Sequence, residues 1–72
     1  MEEISQKIGK NIKEARKLKK LTQKEVAKAL FMTQQQYSRF ENGVFELNYT
    51  QIIKLCTLYD ISADYLFGLK SF

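Results

Sequence analysis

The strongest constraint on this chain is a pair of helix-start signals placed eleven residues apart. Thr22-Gln23-Lys24-Glu25 has the form of a capping box. A hydroxyl caps the first turn, and a glutamate three residues on reaches back to the cap amide. Thr33 is the next hydroxyl in position to cap. The helix opened by Thr22 therefore has room for about two turns, with Val26, Ala27 and Leu30 facing inward. The turn Phe31-Met32-Thr33 then leads into another helix. A connector this short forces the two helices to cross steeply, as in a helix-turn-helix arrangement.

Helical spacing extends to the rest of the chain. Ile4, Ile8, Ile12 and Ala15 fall on one face of a helix from about residue 4 to 19. The helix opened by Thr33 stops at Gly43, a residue suited to the position just past a helix end. Asn48 is placed to cap a fourth helix with Ile52, Leu55, Cys56 and Tyr59 on its inner stripe and Ile53 beside it. Ser62 is placed to cap a fifth, carrying Tyr65, Leu66 and Leu69. There is no proline, and no alternating β-branched run bounded by turn residues. The expectation is an all-α fold of five short helices.

Seventy-two residues make one small domain, 1–72, with a thin core. One cysteine and no histidine exclude an internal disulfide and a zinc site. The missing disulfide framework fits a reducing compartment, so a cytoplasmic location is expected. The apolar runs are too short for a membrane span, and the polar start MEEISQ is no secretory signal.

Charge is unevenly placed. Residues 1–30 carry nine basic groups against four acids. Residues 40–72 carry Lys54 and Lys70 against Glu41, Glu46, Asp60 and Asp64. A basic first half points to a polyanionic partner; the plainer reading is a lysine-coated helix.

The third helix narrows the choice. At about 100° per residue, Tyr37 and Phe40 define a buried face. Gln35, Ser38, Arg39 and Asn42 lie opposite, and Gln34 projects from the first turn. Gln36 falls on the flank and Glu41 at the core edge. The outward face thus carries amides, a hydroxyl and a guanidinium, with no aliphatic residue and no acid. Glutamine and asparagine match adenine edges bidentately, and arginine matches guanine. The plainer reading is a merely polar surface.

The segments IGKNIKEARKLKKLTQKEVAKAL, TQQQYSRFENG and IIKLC…DISADYLFGL resemble the XRE-type, or phage Cro/CI-type, helix-turn-helix family over nearly the whole chain. The resemblance implies a compact five-helix lambda-repressor-like domain whose second and third helices form the DNA-binding unit. Gln23 matches a glutamine that bonds a phosphate and braces the first reading residue. Thr33 matches a phosphate-contacting cap. Gln34, Gln35 and Arg39 match base-reading positions, with Ser38 close by. Asn42 matches a contact to the DNA backbone, with the Gly43 amide beside it. Arg16 and Glu41 match a partly buried salt bridge between helices one and three. Lys20 and Lys24 would add sequence-independent attraction to phosphates.

Three departures stand out. Phe31 and Lys20 occupy positions where the family often has glycine, and a bulky residue at positive φ is an outlier. The loop after the third helix, Val44-Phe45-Glu46-Leu47, lacks the usual basic residues, which puts phosphate contacts from it in question. Its apolar residues would pack or meet a second subunit. Phe67, Leu69 and Phe72 either close the core or form a twofold interface.

The leading expectation is a sequence-specific transcriptional regulator of double-stranded DNA. It would act as a homodimeric repressor on a short inverted repeat, by occlusion, since 72 residues leave no second domain. The alternative is a protein-interaction module on the same fold, an antitoxin or anti-regulator acting through the 44–47 loop or the fifth helix. An enzyme is not expected. Histidine is absent, Cys56 lies on an inner stripe, and the carboxylates are unpaired. No cofactor, metal or small-molecule ligand is implied.

Overall fold

The computed structural model describes residues 3–69. Five α-helices run in the order α1 (Ile4–Leu18), α2 (Gln23–Ala29), α3 (Gln34–Glu41), α4 (Tyr49–Tyr59) and α5 (Ala63–Leu66). There is no strand among the described residues. None of the helices is long and apolar enough to cross a membrane.

Local signals set these boundaries. Thr22, Thr33, Asn48 and Ser62 each accept a hydrogen bond from the backbone N–H three residues on. In α2, α3 and α4 the bond is reciprocated, by Glu25, Gln36 and Gln51. Gln36 is therefore more than a flank of the glutamine triplet. It completes a Thr33–Gln36 capping box, a pattern readable in the sequence by the rule that identifies Thr22–Glu25.

The helix ends share one device. Lys20, Phe31, Gly43, Asp60 and Gly68 all have positive φ, between 53° and 75°. Asp60 sits one residue past its helix and the other four sit two residues past theirs, and paired backbone bonds close around each. After α2 these run from Met32 N–H to the Ala27 carbonyl and from Phe31 N–H to the Lys28 carbonyl, at 3.0 and 3.1 Å. This is the left-handed helix stop that glycine serves best. Phe31 adopts it all the same, with its ring 88% exposed and the Lys54 ammonium 5.0 Å from the ring centroid. The α2–α3 turn keeps its shape without glycine and carries backbone strain at Phe31, as the α1–α2 turn does at Lys20.

The core collects Ile12 and Ala15 of α1, Val26, Ala27 and Leu30 from α2, Tyr37 and Phe40 of α3, Leu55 and Tyr59 of α4, and Leu66 of α5. Ile8, Ile52, Cys56 and Tyr65 pack around it, half-buried. The α1 stripe does not hold to its start. Ile4 shares the face but is 76% exposed, at the edge of an open groove that it lines with Phe40, Phe45 and Tyr49. Ile53, beside the α4 stripe, is also exposed. Asn11 of α1 donates to the Tyr65 and Leu66 carbonyls, at 3.3 and 3.1 Å. It thereby satisfies the end of α5, a helix of four residues. Phe67 is half-buried. Leu69 lies beyond α5 rather than within it, past the left-handed Gly68, and is mostly exposed. Phe72 falls outside the described residues.

The tightest approach is between α1 and α3. A Cβ placed on Gly9 would lie 2.4 Å from the Glu41 carbonyl oxygen and 2.6 Å from that of Phe40. Only a glycine lets the two backbones come this close.

Gly9→Ala should therefore lower stability by about 1–3 kcal/mol, although alanine gains about 1 kcal/mol in helix propensity. Lys20→Gly should do the opposite. It relieves about 1–2 kcal/mol of left-handed strain against an entropy cost of about 0.5–1 kcal/mol. Urea unfolding of the two variants reads both signs.

Candidate nucleic-acid interface

The candidate surface is the exposed side of α3 together with the start of α2. Tyr37 is fully buried and Phe40 nearly so. Gln34, Gln35, Arg39 and Asn42 are exposed, and Ser38 is half-buried. Asn42 Nδ2 donates to Ser38 Oγ at 3.3 Å, so these two form a small polar unit on the last turn. Lys20 and Lys24 are exposed. Thr33 caps α3 by accepting from Gln36 N–H, at 3.1 Å. This use leaves its hydroxyl proton free to donate.

The Gly43 amide is not a free donor. At 3.2 Å it is bonded to the Phe40 carbonyl as part of the stop after α3. Gly43 contributes a conformation, φ +73°, and its carbonyl accepts from Ser5 Oγ at 3.1 Å. Ser5 therefore ties the chain after α3 to α1, a role no sequence pattern marks.

What fixes α3 is the carboxylate of Glu41, which is almost entirely buried. Arg16 Nε donates to Oε2 at 2.7 Å, and Arg16 Nη2 to Oε1 at 3.3 Å. The third guanidinium nitrogen, Nη1, donates to the Leu21 carbonyl at 2.8 Å. Gln23 Nε2 donates to Oε1 at 3.0 Å, and the Tyr37 hydroxyl supports the same carboxylate. Burial alone would push the Glu41 carboxyl up. The hydrogen bonds from Arg16, Tyr37 and Gln23 outweigh it and hold the group below the usual carboxylate range. Glu41 thus stays charged and joins α1, α2 and α3 at one point.

The network has two extensions. Outward, Gln34 Nε2 reaches Gln23 Oε1 at 3.5 Å, so the amide that braces Glu41 also touches the first residue of α3. Inward, the Tyr37 and Tyr59 hydroxyls are 2.6 Å apart in the core. Either hydroxyl can donate in this pair. Burial pushes both phenols up, Tyr59 to about 12 and Tyr37 further, so both are neutral at ordinary pH. α4 is thereby tied into the set that orients α3.

These shifts carry a pH signature. A carboxyl with a lowered folded-state pKa adds stability that is present above its unfolded value, about 4.3. The contribution is lost as pH falls through the folded value. Glu41→Gln should cost about 2–3 kcal/mol at pH 7. Its urea midpoint should also fall less steeply than that of the unsubstituted chain between pH 5 and pH 3.

Comparison with known proteins agrees with this arrangement. The pattern of the helix-turn-helix family matches residues 12–66. The uncharacterized HTH-type transcriptional regulator YqaE of Bacillus subtilis (strain 168) is 40% identical over 59 residues, covering 82% of this chain and 51% of YqaE. The HTH-type transcriptional regulator ImmR of the same organism is 38% identical over 61 residues, covering 85% of this chain and 48% of ImmR. The chain spans about half the length of these curated relatives. The crystal structure of the clp gene regulator ClgR from C. glutamicum superposes with a TM-score of 0.81 at 24% identity, over 92% of this chain and 87% of that one. This last likeness concerns the fold. With more than half its length inside the family pattern, and the two crossed helices in place, the chain belongs to the XRE-type helix-turn-helix family.

Proposed function

We propose that this chain is a sequence-specific DNA-binding transcriptional regulator that lays α3 in the major groove of double-stranded DNA. The observation that carries this reading is the composition of the α3 surface. Gln34, Gln35, Arg39 and Asn42 are exposed on a helix whose other side is held by Tyr37, Phe40 and Glu41. An α-helix with its side chains is about 10–12 Å across, which fits the roughly 12 Å width of the major groove. Gln34, Gln35 and Arg39 are assigned to base edges, with Ser38 close by. Gln23, Thr33 and Asn42 are assigned to phosphates. Lys20 and Lys24 supply attraction that does not depend on sequence. The regulatory role draws support from the relatives, both described as HTH-type transcriptional regulators.

The chain is further proposed to bind as a homodimer to a short inverted repeat, in the cytoplasm, and to repress by occluding a promoter. The described residues measure 29 Å in their longest dimension. That is less than the roughly 34 Å between half-sites one helical turn apart, so one copy covers one half-site. Phe67 and Leu69 are the interface residues proposed from the described part of the chain, and Phe72 is proposed from the sequence.

Selection of bound duplexes from a random library tests this reading. Two half-sites of opposite orientation are expected. Gln35→Ala should change the preferred base pair at one position of each half-site, at a cost of about 1–3 kcal/mol for the original site. Lys24→Ala should weaken all duplexes alike and reduce the salt slope by about one. Uniform loss in both variants would show that the reading residues are wrongly assigned. Recovery of no duplex, with the exposed Val44 and Phe45 engaging a protein instead, would favour the antitoxin or anti-regulator reading.

A further inference from the structure

The loop after α3 departs from a basic phosphate-binding segment, and it brings an aromatic ring to Arg39. The Arg39 guanidinium carbon lies 5.4 Å from the centroid of the Phe45 ring, within the range of a cation–π contact. We propose that Phe45 is a positioning residue for DNA reading: its ring aims the Arg39 guanidinium, so the base preference set by Arg39 depends on Phe45. The proposal rests on the assignment of Arg39 to a base edge.

The local structure supports an aiming role. Arg39 is exposed on the last turn of α3, where a long side chain samples many rotamers. Among the described residues its guanidinium has no hydrogen bond or ion pair, and the Phe45 ring is its recorded contact. The loop that carries the ring is held at several points. Val44 N–H and Phe45 N–H both bond the Arg39 carbonyl, at 2.9 and 3.4 Å. The Gly43 carbonyl is tied to Ser5 of α1. Phe45 also lines a groove of about 350 Å³ with Ile4, Ile8, Phe40, Leu47 and Tyr49, which leaves the ring 47% exposed. The residue whose main chain anchors the loop is therefore the one whose side chain the loop steers.

The chemistry suits a reader. A carboxylate beside Arg39 would occupy the paired donors of the guanidinium fork. A ring face favours the positive charge and leaves that fork free for the two acceptors of guanine. Restricting the rotamers before binding raises affinity for the matched base by removing an ordering cost.

The experiment compares the unsubstituted chain with Arg39→Ala, Phe45→Leu and Phe45→Tyr, each confirmed folded by thermal unfolding. Each is put through the random-duplex selection, followed by affinities for single-base-pair variants of the selected site. Arg39→Ala should erase the preference at one base pair per half-site. Phe45→Leu should weaken the preference at that same base pair about two- to fivefold, with the others unchanged. Phe45→Tyr, which keeps the ring, should retain it. The double variant Arg39→Ala/Phe45→Leu should lose no more discrimination than Arg39→Ala alone. Two results overturn the proposal while leaving Arg39 a reader: Phe45→Leu keeps full preference, or it lowers affinity for all sequences equally. If Arg39→Ala shifts no base preference, the underlying assignment fails, and this proposal with it.

Discussion

A single buried carboxylate organises this protein. Glu41 is 5% exposed, and it receives hydrogen bonds from α1 through Arg16 and from α2 through Gln23. An ionised group in such a place is tolerable only when its oxygens are satisfied and an opposite charge is near. That requirement makes Glu41 a directional joint. Apolar contacts among Ile12, Val26, Tyr37 and Leu55 supply the drive to collapse, but they are not directional. The carboxylate accepts one relative placement of α1, α2 and α3. The close approach of Gly9 to the Glu41 carbonyl acts on the same contact through the backbone. Side chain and main chain of one residue thus define how α3 stands on α1.

The joint also links the core to the surface. Polar groups of four helices form one set: the Tyr59 and Tyr37 hydroxyls inside, Glu41 with Arg16 beside them, and Gln23 with Gln34 outermost. Its inner members are neutral phenols, its middle a charged pair, and its outer members exposed amides. Stability and presentation of the α3 surface are therefore not separate properties in this chain. A change at Tyr59, well inside the core, reaches α3 directly through the hydroxyl of Tyr37.

Much of this was legible in the sequence because local chemistry sets it. The caps at Thr22, Thr33, Asn48 and Ser62 mark the starts of four helices, and apolar spacing picks out most of the core. The left-handed stops at Lys20, Phe31 and Asp60 were harder to read, because only Gly43 and Gly68 carry the residue that advertises such a conformation. At Phe31 the tertiary crossing of α2 and α3 overrides the preference of the residue. Ile4 belongs to the α1 stripe by spacing, yet it is exposed, since periodicity does not report how closely neighbouring elements pack against each position. Asn11, Ser5 and Phe45 act on partners 54, 38 and 6 positions away. The first two separations leave no periodic trace, and the third lies across a helix stop, where helical spacing ceases to apply.

The two sides of α3 differ in how freely they can be exchanged. Gln35 is exposed, so evolution can replace it with little effect on the packing of Tyr37 and Phe40. Arg39 is different, because its surroundings include a ring from the next loop. A lineage that recodes position 39 inherits an aromatic group suited to a cation, and the two positions are expected to drift together. The surface of α3 is thus part interchangeable and part bound to its loop, and the boundary falls between its first and last turns.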